Sequence, residues 1–123
     1  MVSTPVLFDT NILIDCLRGI IAERVEITLY SDRAISLVTW MEVLAGATSA
    51  TEPDVLLFLN AFRILPITQA VADDAVLNRR KGRLKLPDAI ILATAKVDGR
   101  LLITRNTKDF PTTQHGVRVP YMV

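Results

Sequence analysis

Short apolar runs alternate along this chain with segments of helical period. Val6, Leu7 and Phe8 form a continuous apolar run closed by Asp9, the pattern of a strand buried on both faces, and Asn11 to Leu17 then reads as a helix. A second run, Ala34 to Val38, ends at Thr39 and passes into the helix-like Trp40 to Ala45. Ile64 to Ile67 reads as a weaker strand, because Pro66 brings no ladder donor. Thr68 stands where it can N-cap a helix that runs to Lys81 and stops at Gly82. Pro87 suits the first turn of a further helix reaching about Asp98, with Gly99 as its stop, and Leu101 to Ile103 makes another buried strand ending at Thr104.

Strands alternating with helices predict an α/β fold with a mainly parallel sheet covered on both faces. In such sheets ligands bind outside the carboxyl ends of the strands. Acidic residues collect at those positions. Asp9 ends one strand, Glu42 lies one helical turn past another, and Asn106 and Asp109 follow a third. Asp88 opens an almost wholly apolar helix and shares a face with Ile91, Leu92 and Ala95, so it is drawn inward, where an ionised carboxylate needs a cation or donors. Converging carboxylates make a site for Mg²⁺ or Mn²⁺, which take oxygen ligands and fill their other positions with water and phosphate.

Each acid also has an ordinary structural role open to it. Thr39 and Glu42 match the spacing of a capping box, Asp9 can N-cap the next helix, Asp88 can complement its own helix dipole, and Asp109 can be a turn residue. The combination at one sheet edge favours a shared site. Five bases, Arg79, Arg80, Lys81, Arg83 and Lys85, precede Asp88. A solvated helix end explains two or three of them, whereas the full cluster beside a metal ligand fits contacts to a nucleic-acid backbone.

Composition narrows the class. With 123 residues, 50% of them hydrophobic and 22% charged, the chain is expected to form one domain, 1–123, rather than a disordered segment. No apolar stretch reaches membrane-spanning length and the N-terminus lacks a signal-peptide pattern, so a cytoplasmic protein with no membrane contact is expected. Cys16 is the lone cysteine, which excludes an internal disulfide and a thiolate cluster and reads as core. His115 is the lone histidine, which excludes a ribonuclease built on two imidazoles. The net charge of +1 hides an asymmetry: residues 1–62 carry three bases against eight acids, residues 63–123 eleven bases against five acids. That is the pattern of a protein with a polyanionic partner. Tyr30, Trp40, Phe58 and Phe62 lie in apolar segments and read as core or interface, and the apolar excess of Val55 to Phe62 calls for a protein partner such as a second copy.

LFDTN around Asp9, VTWMEVLAG around Glu42, KLPDAIILATA around Asp88 and LITRNTKDF at the end resemble, in order and spacing, the motifs of PIN-domain ribonucleases, specifically VapC-type toxins of toxin-antitoxin pairs. The resemblance covers essentially the whole chain and implies a PIN-like three-layer α/β/α fold. It implies an endoribonuclease dependent on Mg²⁺ or Mn²⁺ that leaves a 5′-phosphate and a 3′-hydroxyl, with Asp9, Glu42 and Asp88 as metal ligands. In relatives the residue after Thr104 and Arg105 is often aspartate. Here it is Asn106, with Asp109 three positions on, so Asp109 is taken as the fourth catalytic acid and Asn106 as the alternative. Thr10, Asn11, Thr39 and Thr104 are candidates to orient the ligands. The resemblance also implies an RNA substrate, a homodimer held by N-terminal helices, and an antitoxin that obstructs the site.

Two other readings remain. A PIN scaffold that binds RNA or an antitoxin without cutting would need no metal. A phosphoacceptor receiver domain has a similar length and acids at strand ends, but the first strand here ends Asp9-Thr10 and no strand-end lysine is present.

Overall fold

Short strands organise the molecule, and the one at Val6–Phe8 is buried throughout. The computed structural model describes residues 2–19, 21–82, 84–106 and 117–118. The elements run β1 (Val6–Phe8), α1 (Thr10–Leu17), α2 (Ile21–Thr28), β2 (Arg33–Ser36), α3 (Leu37–Ala45), α4 (Glu52–Leu59), β3 (Arg63–Leu65), α5 (Gln69–Lys81), α6 (Leu86–Val97), β4 (Leu101–Ile103) and β5 (Val117–Arg118). The sheet order is β3-β2-β1-β4-β5 and every pairing is parallel. The α/β expectation holds, and the sheet is more uniform than expected.

Alternation along each strand divides the core between the two faces. Leu7, Ala34 and Leu102 point to one side and pack with Val71, Ala75, Ile91 and Leu92 of α5 and α6. Val6, Phe8, Ile35 and Ile103 point to the other and meet Ile12 and Leu13 of α1, Ile27 of α2, Val43 of α3 and Val55 and Leu59 of α4. Tyr30 and Phe62 are buried there and pack edge-on against Phe8, while Trp40, Phe58 and Cys16 are half-buried at its margin. Helices therefore cover both faces, which is the three-layer arrangement.

Several boundaries differ from the sequence expectation. β2 stops at Ser36, not Val38, because the Ser36 side chain accepts a hydrogen bond from the Val38 amide at 3.1 Å and caps α3. The capping box open to Thr39 and Glu42 is thereby ruled out, since both residues lie inside α3. β3 covers Arg63–Leu65 and ends before Pro66, which cannot donate to a ladder. Thr68 does cap α5, accepting from the Val71 amide at 3.3 Å, and Gly99 adopts φ +64°, a conformation that ends α6 without a Cβ penalty. The helix α2 was not legible as an element, because Glu23, Arg24 and Glu26 interrupt its apolar positions.

Order in the sheet locates the functional edge. From β1 the chain moves outward to β2 and β3, then returns to the opposite side of β1 as β4. α1, which follows β1, packs on one face and α6, which leads into β4, on the other, so the carboxyl ends of these two strands mark the switch point where such sheets open a crevice for ligands. Asp9 and Thr104 are the residues at that point. The register Phe8↔Ile103, extended by a hydrogen bond from the Asp9 amide to the Ile103 carbonyl at 2.9 Å, sets them side by side.

Candidate active site

Asp9 is both a helix cap and the centre of a polar cluster. Its backbone is extended, and its Oδ1 accepts from the Thr10 amide at 2.7 Å. Its Oδ2 accepts from Thr104 Oγ1 at 2.7 Å and from Asn11 Nδ2 at 3.1 Å. Only 3% of Asp9 is exposed. Burial pushes its carboxyl up to about 6, assisted by the negative charges of Asp88 and Glu42 and opposed by the hydrogen bonds from Thr104 and Thr10.

Threonine hydroxyls organise the remainder. Thr10 Oγ1 donates to Glu42 Oε1 at 2.7 Å and lies 3.0 Å from Thr39 Oγ1. A hydroxyl carries one proton, and an ionised carboxylate only accepts, so Thr39 is the donor to Thr10. Buried Thr39 thus steadies Thr10, and Thr10 holds the exposed Glu42 at the crevice. Thr104, itself fully buried, donates to Asp9 and accepts from the Asn106 amide at 3.0 Å. Asp88 is half-buried in the first turn of α6, close enough for its charge to act on Asp9. The inward pull expected of it is therefore not complete.

Glu42 and Asp88 are thus brought within electrostatic reach of Asp9, with Thr10, Asn11 and Thr104 hydrogen-bonded to Asp9 or Glu42 and Thr39 hydrogen-bonded to Thr10. Among the described residues, no three of His, Cys, Asp or Glu stand together tightly enough to clasp an ion as they are. Asp109 and Arg83 lie outside the described residues, as does His115. Asn106 is described and follows the Thr104 contact. Arg79, Arg80 and Lys81 end α5 and are exposed, as is Lys85, the N-cap of α6. Sequence reasoning missed an ion pair between the buried Asp15 of α1 and the half-buried Arg105. Its one signal was an acid in the middle of an apolar helical segment.

The chain belongs to the PIN-domain family, which it matches over residues 6–115. Within that family it resembles Ribonuclease VapC10 of Mycobacterium tuberculosis, with 32% identity over 126 residues covering 96% of this chain and 94% of the relative. A toxin-antitoxin complex from Klebsiella pneumoniae contains a chain with 46% identity and a TM-score of 0.90, covering 96% of this chain and 99% of that one. FitAcB from Neisseria gonorrhoeae is also similar, with 25% identity and a TM-score of 0.77 over 96% of this chain and 99% of the other. No described helix is long and apolar enough to cross a membrane.

Proposed function

We propose that this protein is a metal-dependent endoribonuclease and the toxin of a toxin-antitoxin pair. The observation that carries the reading is the state of Asp9: a buried carboxylate, pushed up to about 6, faced by two further acids and held by three donors. Such a cluster is unfavourable by itself and becomes favourable around a cation. The similarity to a protein named Ribonuclease VapC10 and to a chain of a toxin-antitoxin complex supports the same reading.

These residues have the donor chemistry for a hard divalent cation, and binding one would draw the carboxylates closer together. The donor set is oxygen only, which suits Mg²⁺ or Mn²⁺ over softer metals. Asn11 Oδ1 is buried with no hydrogen-bond partner, an orphan acceptor next to Asp9 that a cation's hydration water would satisfy. Asp9, Glu42 and Asp88 would hold the ion, with Asp109 or Asn106 completing the set. When bound, the ion supplies Lewis acidity, making water a better nucleophile and offsetting the charge that grows on the phosphate. Thr104 and Asn11 fix the orientation of Asp9, and Thr10, steadied by Thr39, fixes Glu42. Arg79, Arg80, Lys81, Arg83 and Lys85 bind the RNA backbone and bring it to the acids.

Protein partners fit the surface that remains. A cavity of about 400 Å³ beside Glu42 is lined by Ile14, Leu17, Val43, Ala47 and Val55 among others, and an apolar antitoxin segment seated there would block the site. Leu57, 73% exposed on α4, leaves further apolar area that we assign to a second copy in a homodimer. A cytoplasmic location accords with an RNA substrate.

Purified protein incubated with total cellular RNA in Mn²⁺, Mg²⁺ or EDTA tests the reading. Discrete cuts with 5′-phosphate ends in Mn²⁺ or Mg²⁺, absent in EDTA, are expected. Intact RNA under every metal, from folded protein free of antitoxin, contradicts it and favours a scaffold that binds without cutting.

A further inference from the structure

Asp15 and Arg105 form an ion pair that the site described above does not use. The Asp15 side chain on α1 is 2% exposed, and the Arg105 guanidinium, 32% exposed, reaches it with two prongs, Nε to Oδ2 and Nη2 to Oδ1, the second at 3.1 Å. Removing a carboxylate from water costs several kcal/mol in effective terms, roughly what such a pair regains, so an apolar pair of similar volume often serves stability as well. Geometry is what the pair adds. A planar guanidinium fork matches a carboxylate in one orientation, which fixes the direction of the arginine and of the backbone that carries it.

That backbone lies at the edge of the site. Arg105 sits between Thr104, whose hydroxyl donates to Asp9, and Asn106, whose amide donates to Thr104. The start of α1 therefore meets the segment after β4 at Asp9, and the same helix meets it again six residues later at Asp15. The ion pair adds an anchor on the body of α1 to the one that the Thr104–Asp9 bond supplies at its start.

We propose that Asp15 and Arg105 are positioning residues: their ion pair tethers the segment after β4 to α1 and so holds the Thr104 hydroxyl on Asp9 and Asn106 at the crevice. The proposal rests on the reading of Asp9 as a cation ligand. On this proposal Asp15 and Arg105 act through Thr104 and Asn106 rather than as ligands of the ion.

Two variants test it. Asp15→Leu with Arg105→Met replaces the pair by apolar groups, and Arg105→Lys keeps the charge but loses the fork. Melting temperature, Mn²⁺ affinity by calorimetry, single-turnover RNA cleavage and hydrogen exchange of the Asn106 amide are read on each. The double variant is expected to melt within a few degrees of the parent, while Mn²⁺ affinity and cleavage rate each fall by about tenfold or more and the Asn106 amide exchanges faster. A purely structural role would lower the melting temperature and leave the other readouts in place. Unchanged Mn²⁺ affinity and Asn106 exchange in the folded double variant overturn the proposal. If that variant does not fold, the same two results in Arg105→Lys overturn it. A parent protein that neither binds Mn²⁺ nor cuts RNA would instead refute the proposed function, and Asn106 exchange would still decide whether the pair orders the segment.

Discussion

Thr104 Oγ1 donates to Asp9 Oδ2 across 2.7 Å, joining the carboxyl ends of β4 and β1 at the point where the sheet changes direction. The bond lowers the Asp9 pKa, yet burial outweighs it and the carboxyl stands at about 6 against an ordinary 3.8. The folded state therefore holds this proton more tightly than the unfolded chain. Without divalent ions, the buried charge weakens the fold progressively as pH rises through the interval from about 4 to 6, and the full penalty at pH 7 is roughly 3 kcal/mol.

Asp9→Asn removes that charge. Urea unfolding in EDTA at pH 5 and pH 7 should show the parent losing about 1 kcal/mol relative to this variant over the interval. Adding Mn²⁺ at pH 7 should restore the parent and not the variant, because only a ligand bound by the folded state shifts the balance. Parallel pH profiles for parent and variant would mean that Asp9 carries no such penalty.

The exposed bases at the end of α5 give a second prediction. Arg79→Gln, Arg80→Gln and Lys81→Gln together, in an Asp88→Asn background that prevents cleavage, should weaken RNA binding and flatten its dependence on log salt by about 0.7 for each phosphate no longer neutralised. An unchanged slope, measured by fluorescence anisotropy between low and moderate salt, would return these residues to the role of a solvated helix end.

Arg100 gives a third, at the opposite edge of the sheet. Its buried guanidinium donates to the Val6 carbonyl at 3.2 Å, to Asp32 Oδ1 at 2.8 Å and to Asp98 Oδ2 at 2.6 Å, tying the starts of β1 and β4 to the turn before β2. Burial works against its charge, but Asp98 and Asp32 outweigh that and hold the guanidinium above its ordinary pKa. Arg100→Met keeps the apolar stem and loses the donors, which should lower stability by about 1–3 kcal/mol while leaving Mn²⁺ affinity unchanged. A loss of Mn²⁺ affinity equal to that of a ligand variant would show that the two edges of the sheet are coupled.

β1 and β4 were legible because they obey a local rule, three consecutive apolar residues closed by a polar one, whereas β2 and β3 were read with shifted ends and the two-residue β5 was not read. β1 and β4 were read with the boundaries they have. α2 was missed because its sequence mixes charges into the apolar pattern, and the start of α3 was misplaced because Ser36, inside an apolar run, caps it. Asp15 and Arg105 escaped notice for a different reason. They lie 90 residues apart in sequence, and only the closing of β4 onto β1 brings them together. Local pattern carries strand ends and caps; pairs made by the sheet's topology have no counterpart in it.

Calorimetric titration of Mn²⁺ into the folded parent, Asp9→Asn, Glu42→Gln and Asp88→Asn at pH 7 addresses the central claim most directly. If these three carboxylates form one cation site, the parent binds Mn²⁺ and each variant, still folded by its melting curve, binds it at least about tenfold more weakly. A parent that binds no Mn²⁺, or variants that bind it as the parent does, would contradict the account.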